Sequence, residues 1–286
     1  MAAVASEAMD TDPRPIGMFD SGFGGLTVAR AVIDLLPDES LVYLGDTGRY
    51  PYGPRPLREV RRFAHQIADH LIHTYDVKLL VVACNTASAA ALDELQARSP
   101  VPVVGVIEPG VRSLVKATRS GRVGVIGTVG TMSSGAYQRA VEATGAQVEL
   151  TGAACPGFVE FVEKGELDSD QVFVLAERLL APLCEAKVDT LLLGCTHYPF
   201  LARTIGTVMG REVVLVSSAD ETAFEVLRLL SPDAPGPLAA QPAGRGEAPV
   251  THRWLSSGDV TWFRMLGGRL LGPELAAAEP VVWNED

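Results

Sequence analysis

Two cysteines stand where chemistry can be done. Residues 79–88, LLVVACNTAS, bring an apolar run up to Cys84, then the polar pair Asn85 and Thr86, then a stretch rich in Ala, Leu and Glu. That order reads as a strand covered on both faces that turns at once into a helix. Cys84 then lies at a strand's carboxyl end and beside a helix N-terminus, whose partial positive charge is expected to lower a thiol's pKa. Asn85 and Thr86 are expected to cap that helix through their side-chain oxygens. Residues 190–198, TLLLGCTHY, repeat the design with Cys195, Thr196 and His197, and a helical pattern follows from Pro199. A single strand-end cysteine is more often a small buried hydrophobe. Two in matching contexts, each where open α/β sheets hold ligand-handling groups, point to a pair.

A cysteine hydrolase needs one thiol and one histidine and leaves the second cysteine idle. Removing a proton from one face of a carbon and returning one to the other face needs two groups, one on each side. Linked thiols of nearly matched pKa can exchange the roles of acid and base with substrate handedness. His197, two residues after Cys195, can pair with that thiolate or accept its proton. Asp20 ends the first apolar run and precedes the glycine-rich residues 21–25, SGFGG, so parallel neighbours bring it towards Cys84. It either orients a substrate ammonium, assists proton movement at Cys84, or simply caps the turn. A dinucleotide reading of that turn fails at its third glycine, because Thr27 stands there. The turn still offers backbone N–H groups to a carboxylate, with Ser21 at the same mouth.

The rest of the chain bounds these readings. At 286 residues there is ample chain for a large core, and no apolar run approaches a membrane span. The start lacks the basic and apolar regions of a secretion signal, so residues 1–15 read as a disordered tail and the cytoplasm as the expected compartment. A net charge of −11 argues against nucleic acid as a partner. The four cysteines, Cys84, Cys155, Cys184 and Cys195, form no CxxC pair, so neither a zinc site nor a redox dithiol is indicated. Cys184 falls in a helical pattern and reads as packing. The four lysines lie away from the glycine-rich mouths, which argues against a pyridoxal Schiff base, and no cofactor is expected.

Strands are expected at 16–20, 41–45, 78–85, 101–107, 122–127, 147–151, 188–194, 212–216, 251–255 and 281–283. Helices are expected at 26–36, 57–75, 87–98, 111–118, 136–143, 158–164, 171–185, 223–230 and 260–271, with another after Pro199. Glu108-Pro109-Gly110 is read as a strand stop and residues 128–134 as a small-residue turn. Residues 47–56, with Tyr50 and Tyr52, are read as an irregular loop walling the site. Residues 231–249 are read as a flexible loop. This alternation means an α/β protein with mostly parallel sheets flanked by helices. The stretches around Cys84 and Cys195 look like two versions of one plan, hence two similar lobes with the active site in the cleft between them.

The segments DSGFGG (20–25), GDT (45–47), PYG (51–53), ACNT (83–86), VIGT (125–128) and GCTHYP (194–199) closely resemble those of the glutamate racemases, over roughly residues 16–230. The resemblance implies cofactor-independent interconversion of L- and D-glutamate in a bacterial cytoplasmic enzyme supplying D-glutamate for peptidoglycan, and a homodimer. It implies that Cys84 acts on the D-enantiomer and Cys195 on the L-enantiomer, assisted by Asp20, His197 and Glu163, with Glu160 one helical turn from Glu163. Substrate contacts would come from Asp20, Ser21, Tyr52, Gly53, Asn85, Thr86, Thr128, Thr196 and His197. It also returns the chain's end to the first lobe, giving 16–108 plus 217–286 for the lobe with Cys84 and 109–216 for that with Cys195. Three other readings stay open: a racemase of aspartate or hydantoins, a two-lobed binder of small anions, and a hydrolase using Cys84 alone.

Overall fold

The computed structural model describes residues 12–231 and 249–283. Most of the expected N-terminal tail (1–11) and of the expected flexible loop (232–248) lies outside the described residues. In chain order the strands are β1 (Ile16–Asp20), β2 (Leu41–Gly45), β3 (Leu79–Val82), β4 (Val103–Gly105), β5 (Arg122–Gly127), β6 (Glu149–Ala154), β7 (Thr190–Gly194), β8 (Val214–Val216), β9 (His252–Ser256) and β10 (Glu279–Pro280). They form a six-stranded sheet in the order β10-β9-β2-β1-β3-β4 and a four-stranded sheet in the order β6-β5-β7-β8. Every pairing is parallel.

Parallel sheets need cover on both faces, and β1, β2, β3 and β7 are buried along their whole length. On one face of the larger sheet lies α2 (Leu57–Tyr75), whose Val60, Phe63, Ala64, Ile67, Ala68 and Leu71 recur at helical spacing and are all buried. They pack with Phe19, Val42, Leu44, Leu80 and Val82 of the strands. The opposite face is covered by α1 (Leu26–Leu35), which presents Leu26, Val28, Ala29 and Val32 to Met18, Tyr43 and Val81. In chain order the remaining helices are α3 (Asn85–Arg98), α4 (Ile107–Ala117), α5 (Val129–Ser133), α6 (Ala136–Ala143), α7 (Phe158–Lys164), α8 (Asp170–Glu185), α9 (Ala202–Met209), α10 (Ala219–Leu230) and α11 (Val260–Leu271). The smaller sheet buries Val123, Val125 and Leu192 against α4 and α6.

Several local expectations give way to packing. β3 stops at Val82, and α3 starts at Asn85 with Cys84 as its N-cap residue and no side-chain cap bond. Asn85 and Thr86 are therefore inside the first turn, and their side chains bond elsewhere. Pro109 and Gly110 do not stop a strand but sit in the first turn of α4, where a missing N–H costs nothing. Residues 128–134 hold α5, capped by the Thr128 hydroxyl, which accepts the Thr131 N–H. A 3₁₀ turn, Tyr198–Leu201, intervenes before α9, and α10 begins earlier than its apolar spacing suggested. The closing strand is Glu279–Pro280 rather than 281–283. Cys184 is exposed, so it is not core packing.

Candidate active site

In an open parallel sheet, ligands gather where neighbouring strands send their connections to opposite sides. In the larger sheet that point lies between β1 and β3, and the residues just beyond it are Asp20 and Cys84. In the smaller sheet it lies between β5 and β7, and the residues beyond it are Thr128 and Cys195. The sheet orders alone thus place one thiol at each switch point.

Cys84 is buried, and the backbone N–H groups of Ala87 and Ser21 are directed at its sulfur. Those donors favour a thiolate, but burial and then the charge of Asp20 outweigh them and hold the thiol well above its ordinary value. The expected depression by the helix N-terminus is overturned: a half-charge cannot offset complete desolvation next to a carboxylate. Asp20 is fully buried. Its Oδ2 accepts the Gly25 N–H at 2.8 Å, so it does cap the turn. Its Oδ1 is buried with no partner among the described residues.

Cys195 is reached by His197, whose Nδ1 lies 3.9 Å from its sulfur, while Nε2 lies 3.3 Å from Glu163 Oε1 on α7. Glu163 rather than Glu160 meets the histidine; Glu160 lines a cavity of about 70 Å³ with Gly53, Thr128 and Cys155. Burial alone would lower the His197 pKa, but its bonds to Cys195 and Glu163 prevail and raise it to about 10 from 6.5. The imidazolium therefore contributes stability that is complete below pH 6.5 and is lost as pH rises through about 10. Glu163→Gln will move the His197 titration down, measured by NMR on labelled histidine; an unmoved titration would detach Glu163 from this histidine.

The two halves meet around these groups. A Cβ on Gly24 would lie 2.4 Å from His197 Nδ1 and 2.6 Å from Thr196 Oγ1, so the turn after Asp20 presses directly on the Cys195 side. The Thr86 hydroxyl bonds those of Thr128 (3.0 Å) and Thr131 (3.2 Å), and Asn85 Nδ2 donates to the Tyr137 hydroxyl at 2.8 Å. The charge of Cys195 is felt at Cys84. The Gly53 carbonyl accepts the Gly130 N–H at 3.0 Å, carrying the 47–56 loop onto the second half. Ser21, Thr86, Thr128 and Thr196 are all buried here. Tyr52 is the exception among the expected contacts. Its ring packs on Phe63 and its hydroxyl donates to Asp46 Oδ2, so the side chain belongs to the core and only its main chain remains for a ligand.

Three contributors are not among the site residues expected from sequence, although Tyr50 lies on the expected wall loop and Asp46 in the GDT segment. Tyr50, not Tyr52, is the loop tyrosine at the site, with its ring 6.1 Å from that of His197 and against Gly22. Burial, then the Glu163 charge, holds its hydroxyl well above the ordinary tyrosine value. Tyr137 has no local signal beyond its helical spacing. Asp46 is fully buried and receives Arg49 Nε (2.7 Å), the Tyr52 hydroxyl, the Ser257 hydroxyl (2.6 Å) and Trp283 Nε1 (2.9 Å), while its own N–H donates to the Asp20 carbonyl at 2.9 Å. The Arg49 guanidinium is held between the Phe63 and Trp283 rings, 4.1 and 4.6 Å from their centroids. This knot fixes the loop that carries Tyr50. Among the described residues, no group of three or more His, Cys, Asp or Glu side chains is placed to hold a metal ion, and no helix is long and apolar enough to cross a membrane.

The sequence model of the Asp/Glu/Hydantoin racemase family matches residues 26–224, which places these two parallel sheets among the isomerases of the amino-acid racemase class. The chain belongs to that family. It is 55% identical to the glutamate racemase of Parafrankia sp. over 263 residues, 92% of each chain. It is similar to the crystal structure of a glutamate racemase isoform from Bacillus anthracis (TM-score 0.85, 40% identity, 94% of this chain and 97% of the other). It is equally close in shape to the Francisella tularensis glutamate racemase in complex with D-glutamate (TM-score 0.85, 31% identity, 94% and 97% covered).

Proposed function

We propose that the protein interconverts L- and D-glutamate by proton transfer at Cα between two thiols, without a cofactor, supplying D-glutamate for peptidoglycan. The observation that carries this reading is the pair of buried acceptor oxygens beside Cys84. Asp20 Oδ1 and Asn85 Oδ1 are both without a partner among the described residues, which suits the ammonium of an α-amino acid. The N–H groups at the glycine-rich turn and at the start of α3 suit its carboxylate. Relatives named glutamate racemases, one of them holding D-glutamate, support the choice of substrate.

The two thiols enter the reaction unequally. Cys84 is held protonated by burial and by Asp20, and so enters as the acid. Cys195 has the charge partner, an imidazolium oriented by Glu163. Removal of the α-proton by the Cys195 thiolate on one face, with delivery by the Cys84 thiol on the other, inverts the L-enantiomer. The D-enantiomer takes the reverse route, with Asp20 placed to assist at Cys84. A hydrolase built on Cys84 is disfavoured, because the histidine stands with the other cysteine. The reading places the lobes at 16–108 plus 217–286 and at 109–216, in a cytoplasmic homodimer.

The test is incubation of each glutamate enantiomer in deuterated buffer. Both are expected to converge on the racemate with deuterium at Cα, while aspartate stays unchanged. Absence of Cα exchange would overturn the proposal and favour a binding protein, and faster exchange of aspartate would reassign the substrate.

A further inference from the structure

The glycine-rich turn (residues 20–25) touches the surroundings of both thiols at once. The Ser21 N–H is directed at the Cys84 sulfur, and the Gly25 N–H bonds Asp20. At the crest of the same turn the Phe23 ring lies 5.0 Å from that of His197, and Gly24 presses on His197 and Thr196. The height of the turn above the sheet therefore bears on Cys84 and on Cys195 together.

What holds the crest comes from β2. The Tyr43 hydroxyl donates to the Gly22 carbonyl at 3.1 Å, and no other hydrogen bond among the described residues reaches that oxygen. A carbonyl can only accept, so the direction of this bond is fixed and the proton is the phenol's. Burial, then the charges of Asp20 and Cys84, hold the hydroxyl well above the ordinary tyrosine value, so it keeps that proton at any working pH. The fit around the bond is close. A Cβ on Gly25 would lie 2.9 Å from the phenol oxygen, and a Cβ on Gly45 would lie 2.4 Å from the Gly22 oxygen. The phenol ring is itself anchored, with Phe263 of α11 stacked on it at 6.2 Å and Trp254 of β9 packed against it at 5.9 Å. Tyr43 and the turn are buried, where a carbonyl without its donor is costly and the turn must shift to find another.

We propose that Tyr43 is a positioning residue: through the Gly22 carbonyl it sets the height of the glycine-rich turn, and with it the contacts that the turn makes to Cys84 and to His197. The proposal rests on the racemase reading of the site and names how part of that site is held in register. Nothing reacts at the phenol.

The test separates the donated proton from the shape of the ring. Tyr43→Phe removes the hydroxyl and leaves the ring stack. Two further proteins carry 4-aminophenylalanine or 4-fluorophenylalanine at position 43. The first returns a donor to the same place, and the second places there a group of similar size that cannot donate. Tyr43→Phe and the fluoro protein are expected to lose about tenfold in kcat/KM, the size of one hydrogen bond. The loss is equal on L- and D-glutamate, because a catalyst leaves the equilibrium between them where it is. The amino protein is expected to recover to within about threefold of wild type, by the same measure. A second readout needs no turnover: without ligand, the ring resonances of His197 move in Tyr43→Phe and return in the amino protein. A merely structural tyrosine would lower the melting temperature and leave both readouts, taken well below it, unchanged, which would overturn the proposal. So would a loss that the amino group does not restore, a fluoro protein as active as wild type, or His197 resonances that stay in place. Wild-type protein that exchanges no Cα proton, with His197 resonances that still follow the donor at position 43, would sink the racemase reading and leave the role of Tyr43 standing.

Discussion

Cys84→Ser and Cys195→Ser will each lose net inversion of glutamate by about 10³-fold or more, in both directions, while remaining folded. The size follows from the role: a positioned proton-transfer group contributes about 10²–10⁴ in rate, and a serine hydroxyl is a poor acid and a poor base at neutral pH. The symmetry of the loss is the informative part. Each thiol is the acid in one direction and the base in the other, so neither variant can keep one direction intact. The substitution is nearly isosteric, and both sites lie at strand ends whose packing comes from neighbours such as Val82, Ala83, Leu193 and Tyr198. Circular dichroism and thermal melts will therefore resemble wild type. Polarimetry on each enantiomer gives the rates. A Cys195→Ser protein within tenfold of wild type would return the hydrolase or another single-thiol mechanism to consideration.

Gly24→Ala will cost about 10² in kcat/KM in protein that remains folded. A methyl at that position would lie 2.4 Å from His197 Nδ1, 2.6 Å from its Cε1 and 2.6 Å from Thr196 Oγ1. Contacts that close are not tolerated, so the histidine must move, and Nδ1 is the atom that faces the Cys195 sulfur at 3.9 Å. Displacing a reacting group by about 1 Å can cost on the order of 10²-fold, whereas one extra methyl in a packed interior costs about 1–3 kcal/mol. Gly268→Ala is the control. It lies in α11 with nothing within 4 Å of the added carbon, so it will leave kinetics unchanged and raise the melting temperature slightly. Equal activity of the two variants would show that the turn's approach to His197 does not matter for turnover.

How much of this was legible beforehand depended on the range of the interactions involved. Apolar runs ending in Cys84 and Cys195 are local patterns, and they located both switch points. The 57–75 helix was readable because its apolar spacing is unbroken. The start of α4 was misplaced because proline in a first turn looks, in sequence, like proline after a strand. Asn85 and Thr86 have the right chemistry for caps, but partners on the second half, Tyr137 and Thr128, take their side chains instead. The choice between Tyr50 and Tyr52 turned on Asp46, which draws the second tyrosine inward. The shift of the Cys84 thiol runs opposite to the expected one for a related reason: the helix terminus is visible in the sequence, and the desolvation that overrides it is created by distant chain.

The larger sheet takes its two outer strands on one side from the last part of the chain, and the Asp46 knot takes Ser257 and Trp283 from there as well. During synthesis on the ribosome, all four strands of the smaller sheet emerge while β2 still has a bare edge and Asp46 still lacks half its donors. The first-made portion of the protein is thus among the last to be finished. An unpaired parallel edge is a template for aggregation until its strands arrive. The interval between the emergence of β2 and of β9 is the stretch in which that edge has no strand of its own chain to pair with.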